Sequence, residues 1–348
     1  MLDPRLPAPQ AQRLPLLYMF AAGVRKLSKP RVLITRRWPE AVENAMSASF
    51  DVTLNKGDIP MTAAQLQEAL QEYDAVCPCV TDRMPANLFV DNTCKTRIIG
   101  NYGVGFNHID VEAARGRGIV VTNTPDVLTD ATADLAMTLM MMLARRAGEG
   151  ERQLRAGHWK GWYPTHMMGT MVTGKTLGIV GMGRIGQAMA EKAHFGFGMR
   201  ILYHNRKPIS EAESRRLQAE YCTELTWLMS KSDFVAVHCP SSPLTRHMIN
   251  EKTLAYMRAE ASLINTSRGD VVDEQALIKF LKKGLIAGAG LDVYDKEPQV
   301  PEELLGMENV VLLPHLGSAT EETRVAMGMR VLGNLNAFFN GEDPPDKL

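Results

Sequence analysis

An excess of charge of either sign is missing from this chain of 348 residues: 39 basic side chains are matched by 39 acidic ones. A balanced chain exerts no long-range pull on a polyanion, so nucleic acid and anionic membrane surfaces are excluded as principal partners. No apolar run approaches the ~20 residues that cross a bilayer. Cysteine is scarce and unevenly spaced: Cys77, Cys79, Cys94, Cys222 and Cys239 make five. An odd, irregular set argues against a disulfide framework and fits reduced thiols in a cytoplasmic protein. Cys77-Pro78-Cys79 offers half a zinc site, but no second Cys/His pair with ligand spacing follows, so no metal is expected. What remains is ordinary globular composition, 45% hydrophobic and 22% charged.

The length is too great for one compact core and indicates two domains. Residues 1–29 stand apart, with Pro4, Pro7, Pro9 and Pro15 ahead of the apolar LLYMFAAGV. A short targeting segment is one reading. No small-residue cleavage pattern is clear, so a disordered extension or an upstream start codon is preferred. Strand patterns follow at residues 31–35, 51–54, 75–78, 97–100 and 119–122. Helical patterns lie between them, from residue 39, at 62–72 and at 109–116. This alternation predicts a parallel sheet covered by helices. It contains no glycine loop of the phosphate-binding type. A long helix is expected over residues 132–146, with Met140, Met141 and Met142 in the core or a subunit interface.

The next segment reads LGIVGMGRIGQA, with glycines at 181, 183 and 186. A strand over 177–180, a helix over 187–194 and a second strand over 199–203 frame it. In that context the glycines are the turn of a dinucleotide site. The first makes the turn, the second admits the pyrophosphate, and the third lets the helix pack close to the strand. Further strands are expected at 234–238, 262–265, 287–293 and 310–313, and a final helix over 318–339. That helix fits back on the first sheet. The cofactor domain, 127–317, is therefore inserted between two parts of a substrate domain, 30–126 and 318–348.

Ligands in open α/β sheets sit beyond the carboxyl ends of strands. Arg268, Glu297 and His315 all follow strand patterns. Singly, they read as a surface ion pair, a turn residue before Pro298, and a structural histidine. Together they suit carbonyl reduction. Arginine clamps a carboxylate, histidine delivers a proton, and a carboxylate raises the histidine's pKa and fixes its tautomer.

The segments NYGVGFNHID, NTPDVLTDATADLAM, GIVGMGRIGQA, VHCPSSPLTRHMI, LINTSRGDVVDE, LDVYDKEP and LLPHLGSAT resemble the D-isomer-specific 2-hydroxyacid dehydrogenases in motif order. The resemblance runs from about residue 31 to the end. It implies two doubly wound parallel-sheet α/β domains, a Rossmann cofactor domain inserted in a flavodoxin-like substrate domain. It implies Arg268, Glu297 and His315 as the catalytic set, with Val104 and Gly105 presenting amides to the substrate. Substrate side-chain contacts are expected near residues 79–83, with Val80 among them. Dinucleotide contacts fall on Gly181, Gly183, Arg184, Ile185 and Gly186 at the turn, and on Asn205 and Arg206 after the second strand. Others fall on Cys239, Pro240, Thr245 and Thr266. Asp292 holds the nicotinamide, with Thr132, His315 and Gly317 nearby.

Within the family the chain looks most like the glyoxylate/hydroxypyruvate reductases, which carry a tryptophan pair resembling Trp159 and Trp162. The residue matching Trp162 is presented there to the neighbouring subunit's site; both tryptophans could equally anchor the arm of a homodimer. No carboxylate ends the second strand at His204-Asn205-Arg206, which favours NADPH, with NADH possible if Arg206 is merely solvated. The expected reaction is reduction of a small 2-oxo acid to the D-2-hydroxy acid. Rivals are another D-2-hydroxyacid dehydrogenase, phosphonate or phosphite oxidation, and a dinucleotide-sensing scaffold like the co-repressors of the family. Formate dehydrogenases pair the histidine with glutamine, where this chain has Glu297.

Overall fold

The computed structural model describes residues 28–90 and 93–348. The expected N-terminal extension therefore falls almost wholly outside the described residues. Five strands form the first sheet: β1 (Arg31–Ile34), β2 (Asp51–Leu54), β3 (Ala75–Cys77), β4 (Ile98–Gly100) and β5 (Val120–Thr122). All pairs are parallel and the order is β2-β1-β3-β4-β5, the flavodoxin-like winding. β3 and β4 are buried at every position because helices cover both faces. Against one face, Val42 and Met46 of helix Glu40–Ser49 meet Met327, Val331 and Leu335 of helix Glu321–Phe339 over Val32 and Ile34. The C-terminal helix thus returns to the first sheet, as its place in the sequence predicts. It starts at Glu321 rather than 318, where Thr320 caps it by accepting from the Thr323 amide. On the other face, Leu66 and Leu70 of helix Ala63–Glu72 pack on Leu33, Val76 and Ile99.

The second sheet holds seven parallel strands: β6 (Thr176–Val180), β7 (Arg200–His204), β8 (Ala219–Tyr221), β9 (Phe234–Val237), β10 (Ser262–Asn265), β11 (Gly288–Leu291) and β12 (Val310–Leu312). Their order is β12-β11-β10-β9-β6-β7-β8. The winding reverses between β6 and β9, and a crevice opens beyond their carboxyl ends at such a reversal. Helix Thr129–Ala144 lies across β10, β11 and β12. It comes close because β11 is glycine-rich: a Cβ on Gly290 would press on Leu139 and Leu143. The helix begins three residues earlier than its apolar pattern suggests. Met140 is fully buried. Met141 and Met142 are half-buried and line an open groove of about 410 Å³ beside Phe197.

Strand β8 and the helices Ala147–Arg155, Leu225–Lys231 and Glu274–Lys282 are additions to the elements expected from sequence. Helix Ala147–Arg155 buries none of its residues, and the segment after it exposes Trp159, Trp162, Tyr163, Met168 and Met171. Among the described residues no helix is long and apolar enough to cross a membrane. Cys77, Cys79, Cys222 and Cys239 are free thiols.

Candidate active site

The glycine turn sits at the β6/β9 reversal. Gly181 has φ +99°, a left-handed conformation that disfavours any side chain, and a Cβ there would run into the Cys239 backbone. A Cβ on Gly186 would strike the Gly181 carbonyl. Gly183 faces open space and caps helix Arg184–Phe197, which starts three residues before its sequence pattern. The early start puts Arg184, Ile185 and Gly186 in its first turn. Their amides have no intrahelical acceptor, and no acidic side chain occupies that turn. This is a cradle for a dinucleotide pyrophosphate. Arg184 meets Asp126 at 2.5 Å. Across the crevice Cys239 is buried, and the Thr245 hydroxyl donates to the Pro240 carbonyl at 2.7 Å, folding that loop back. At the end of β7, Asn205 is half-buried and Arg206 is exposed, with no carboxylate at the strand terminus. Thr132, Asp292 and Gly317 are neighbours: a Cβ on Gly317 would make ordinary contact with both other side chains.

Asp292 is buried and shapes the turn that carries His315. Its two carboxylate oxygens accept from the Leu316 amide at 2.6 Å and the Gly317 amide at 2.8 Å. Its carbonyl accepts from the His315 amide at 2.9 Å. These bonds hold His315 at φ +54°, a conformation a non-glycine residue takes only when its surroundings impose it. Burial pushes the Asp292 carboxyl above the usual carboxylate range. His315 Nδ1 lies 2.8 Å from Glu297 Oε2, and Glu297 Oε1 accepts from the Tyr294 amide at 3.1 Å. Burial acts to raise the Glu297 carboxyl, but the hydrogen bond and charge of His315, with the Tyr294 amide and Arg268, hold it below its ordinary value. Glu297 is thus an anion fixed on one edge of the imidazole. The other nitrogen, Nε2, is left for chemistry.

Arg268 leaves β10 through a braced turn: Asn265 Oδ1 accepts from the Ser267 amide at 3.0 Å, and Asn265 Nδ2 donates to the Arg268 carbonyl at 2.9 Å. The Arg268 guanidinium crosses to the first sheet, donating from Nε to Asn107 Oδ1 at 3.0 Å. It lies so close to Gly105 that a Cβ there would overlap it. Burial lowers its pKa, yet a guanidinium stays charged. No carboxylate forms an ion pair with it among the described residues, so a surface ion pair does not describe it.

A cavity of about 780 Å³ brings Val80, Arg268, Glu297 and His315 together. Gly105 borders it through the Arg268 contact, whereas Val104 is not among its lining residues. Trp162, 82% exposed, is not among its lining residues. The wall also holds Thr81, Arg83, Asn107 and His108, so the 79–83 loop faces the cavity as expected. Asn107 and His108 were missed as individual site residues; their only signal was membership of the NYGVGFNHID segment. The arrangement combines a cation for a carboxylate, a proton donor with a fixed carboxylate partner, and a dinucleotide cradle.

Comparisons with known proteins identify the relatives of this chain. A family model described as "D-isomer specific 2-hydroxyacid dehydrogenase, NAD binding domain" matches residues 137–317. The chain is 49% identical over 322 residues to a glyoxylate reductase of Thermococcus litoralis, covering 91% of this chain and 96% of the relative. It is similar in structure, TM-score 0.86 and 35% identity, to a putative D-isomer specific 2-hydroxyacid dehydrogenase from Polaromonas, covering 92% of this chain and 99% of that one. An NADPH-dependent glyoxylate/hydroxypyruvate reductase from Sinorhizobium meliloti, in complex with NADP and malonate, aligns with TM-score 0.82 and 35% identity over 92% of this chain and 97% of that one.

Proposed function

The chain belongs to the D-isomer specific 2-hydroxyacid dehydrogenase family, and from that premise we propose that it reduces glyoxylate to glycolate and hydroxypyruvate to D-glycerate with NADPH. The observation that carries this reading is the meeting of Arg268 with Gly105 in a cavity shared by the His315–Glu297 pair. Arg268 clamps the substrate carboxylate, assisted by the Val104 and Gly105 amides. His315, in its imidazolium form, donates from Nε2 to the carbonyl oxygen as charge develops there. Glu297 orients the ring and stabilises that form. Asp292 would hold a reduced nicotinamide, which would supply the hydride. Val80 and its loop contact the substrate side chain.

The cofactor preference rests on the end of β7. A carboxylate there would accept the ribose 2′-hydroxyl and repel a 2′-phosphate; instead Asn205, Arg206 and Lys207 are present. The relative whose complex holds NADP supports the same choice. The substrate domain comprises residues 30–126 and 318–348, and the cofactor domain residues 127–317. The exposed apolar arm, including Trp162, serves a homodimer, and the enzyme works in the cytoplasm. Purified protein assayed with glyoxylate tests the proposal: kcat/KM with NADPH should exceed that with NADH by about tenfold or more, equivalent to ~1.4 kcal/mol. Equal efficiencies or an NADH preference would overturn the cofactor choice. No oxidation of either dinucleotide with any 2-oxo acid would overturn the activity and favour a dinucleotide-sensing scaffold.

A further inference from the structure

Behind the loop that follows β4 lies a buried pair, Asn101 and His108. Asn101 Nδ2 donates to the Gly103 carbonyl at 2.9 Å and to the Gly105 carbonyl at 3.0 Å. Asn101 Oδ1 sits 2.9 Å from His108 Nε2. The amide can stand only one way round, because a flip would aim its oxygen at two carbonyl oxygens. Its oxygen must therefore accept, and His108 Nε2 carries the proton. His108 Nδ1 is a buried acceptor without a partner. Burial, with Arg268 and Arg83 close by, pushes the imidazole down to about 4, so the ring is neutral near pH 7.

Loop direction follows from peptide geometry. In a trans peptide the N–H of one residue points opposite to the carbonyl of the residue before it. Drawing the Gly103 carbonyl inward to Asn101 turns the Val104 N–H outward. The Val104 carbonyl is held in turn by Asn123 Nδ2 at 2.8 Å, which turns the Gly105 N–H away from Asn123. Neither amide donates to a protein acceptor among the described residues. Gly105 also abuts the Arg268 guanidinium, so its freed amide lies beside a cation that reaches across from the second sheet.

We infer that Asn101 and His108 are positioning residues. Proton-bearing His108 Nε2 locks the Asn101 amide, and Asn101 holds the 103–105 loop with its N–H groups turned out to bind the substrate carboxylate. This rests on the carboxylate site proposed above and assigns part of its stiffness to two side chains beneath it, alongside Asn123 and the Thr124 amide, which donates to the Gly103 carbonyl at 3.1 Å.

The test uses full-length protein with NADPH. Oxamate, a carboxylate-bearing substrate analogue, is the binding probe, and glyoxylate KM and kcat are measured alongside. His108→Leu removes the donor, and Asn101→Asp removes both donors to the loop. Each should weaken oxamate and raise glyoxylate KM about tenfold, the effect of losing one or two positioned hydrogen bonds. NADPH affinity and kcat should stay within about twofold. His108→Gln, which can still donate to Asn101, should restore most of the loss. Unchanged oxamate affinity in folded His108→Leu and Asn101→Asp would overturn the inference. So would equal losses in kcat and NADPH affinity, or no rescue by glutamine. Wild-type protein that binds oxamate but does not turn over glyoxylate would count against the proposed reaction alone, and the oxamate series would still decide the role of the pair.

Discussion

The two sheets begin with the same unit, a buried strand leading through a turn into a helix, and the two turns have opposite chemistry. After β6 the turn is Gly181-Met182-Gly183, and the helix it opens has no acid in its first turn. After β1 the turn is Thr35-Arg36-Arg37-Trp38-Pro39, and Glu43 in the first helical turn closes it. Glu43 is buried and accepts from the Trp38 amide at 2.8 Å and from Arg37 Nε at 3.1 Å. One helix N-terminus has its own carboxylate built in; the other is left bare for an anion from outside. Winding and burial are alike, so the difference in function comes from a few residues at strand ends. The first sheet contributes instead through the later loops at 80–83 and 103–108, which line one cavity with Arg268 from the second.

The largest expected effect is at the meeting point. His315→Ala should lower kcat by about 10²–10⁴ while NADPH affinity changes little, since the imidazole acts on the reacting oxygen. Stopped-flow reduction of glyoxylate with a parallel NADPH titration checks this. Gly181→Ala should raise the NADPH Kd by about tenfold or more, because the residue must hold positive φ and its Cβ meets the Cys239 backbone. Fluorescence titration of bound NADPH reads it directly.

The matching change in the first sheet is Glu43→Gln. It should lower the melting temperature by about 2–4 °C and leave NADPH affinity unchanged, because the weakened bonds to Trp38 and Arg37 are structural. A large loss of NADPH affinity in Glu43→Gln would break the contrast between the two turns. Arg206→Ala should reduce the NADPH-to-NADH preference by a factor of about five to ten, the worth of one exposed charge-assisted contact. The ratio of kcat/KM values measures it.

The last effect concerns stability against pH. His108 and His238 are buried with pKa values lowered to about 4, His108 by burial and nearby arginines and His238 by burial alone. Unfolded histidines titrate near 6.5. Between pH 6.5 and 4 the unfolded chain binds more protons at these sites, so their contribution to stability is full above 6.5 and falls as pH drops towards 4. Each should add at most about 1.4 kcal/mol per pH unit to the slope. Urea unfolding of His108→Gln across that range should show a shallower slope than wild type.

Much of this was legible in the chain because the residues follow buried apolar strands. Gly181, Gly183 and Gly186 follow β6, Arg268 follows β10, and His315 follows β12, and strand ends are where open sheets put ligands. Strand β8 was not legible: it is three residues long at the sheet edge, with one residue exposed and one half-buried. Helix Glu274–Lys282 carried a readable signal, the Asp273 cap before Ala276, Leu277, Phe280 and Leu281, and was missed. The Asn101–His108 pair and the Asp292 brace were illegible for a physical reason. Each depends on a loop folding back on itself, and no local pattern announces which carbonyls an amide will reach.

The central claim is that the strand ends of the two sheets together form one reductive site for a 2-oxo acid. Its most direct measurement is the configuration of glycerate formed from hydroxypyruvate and NADPH by the purified protein, read by chiral chromatography. The account predicts D-glycerate formed in step with NADPH oxidation; L-glycerate, or no glycerate at all, would contradict it.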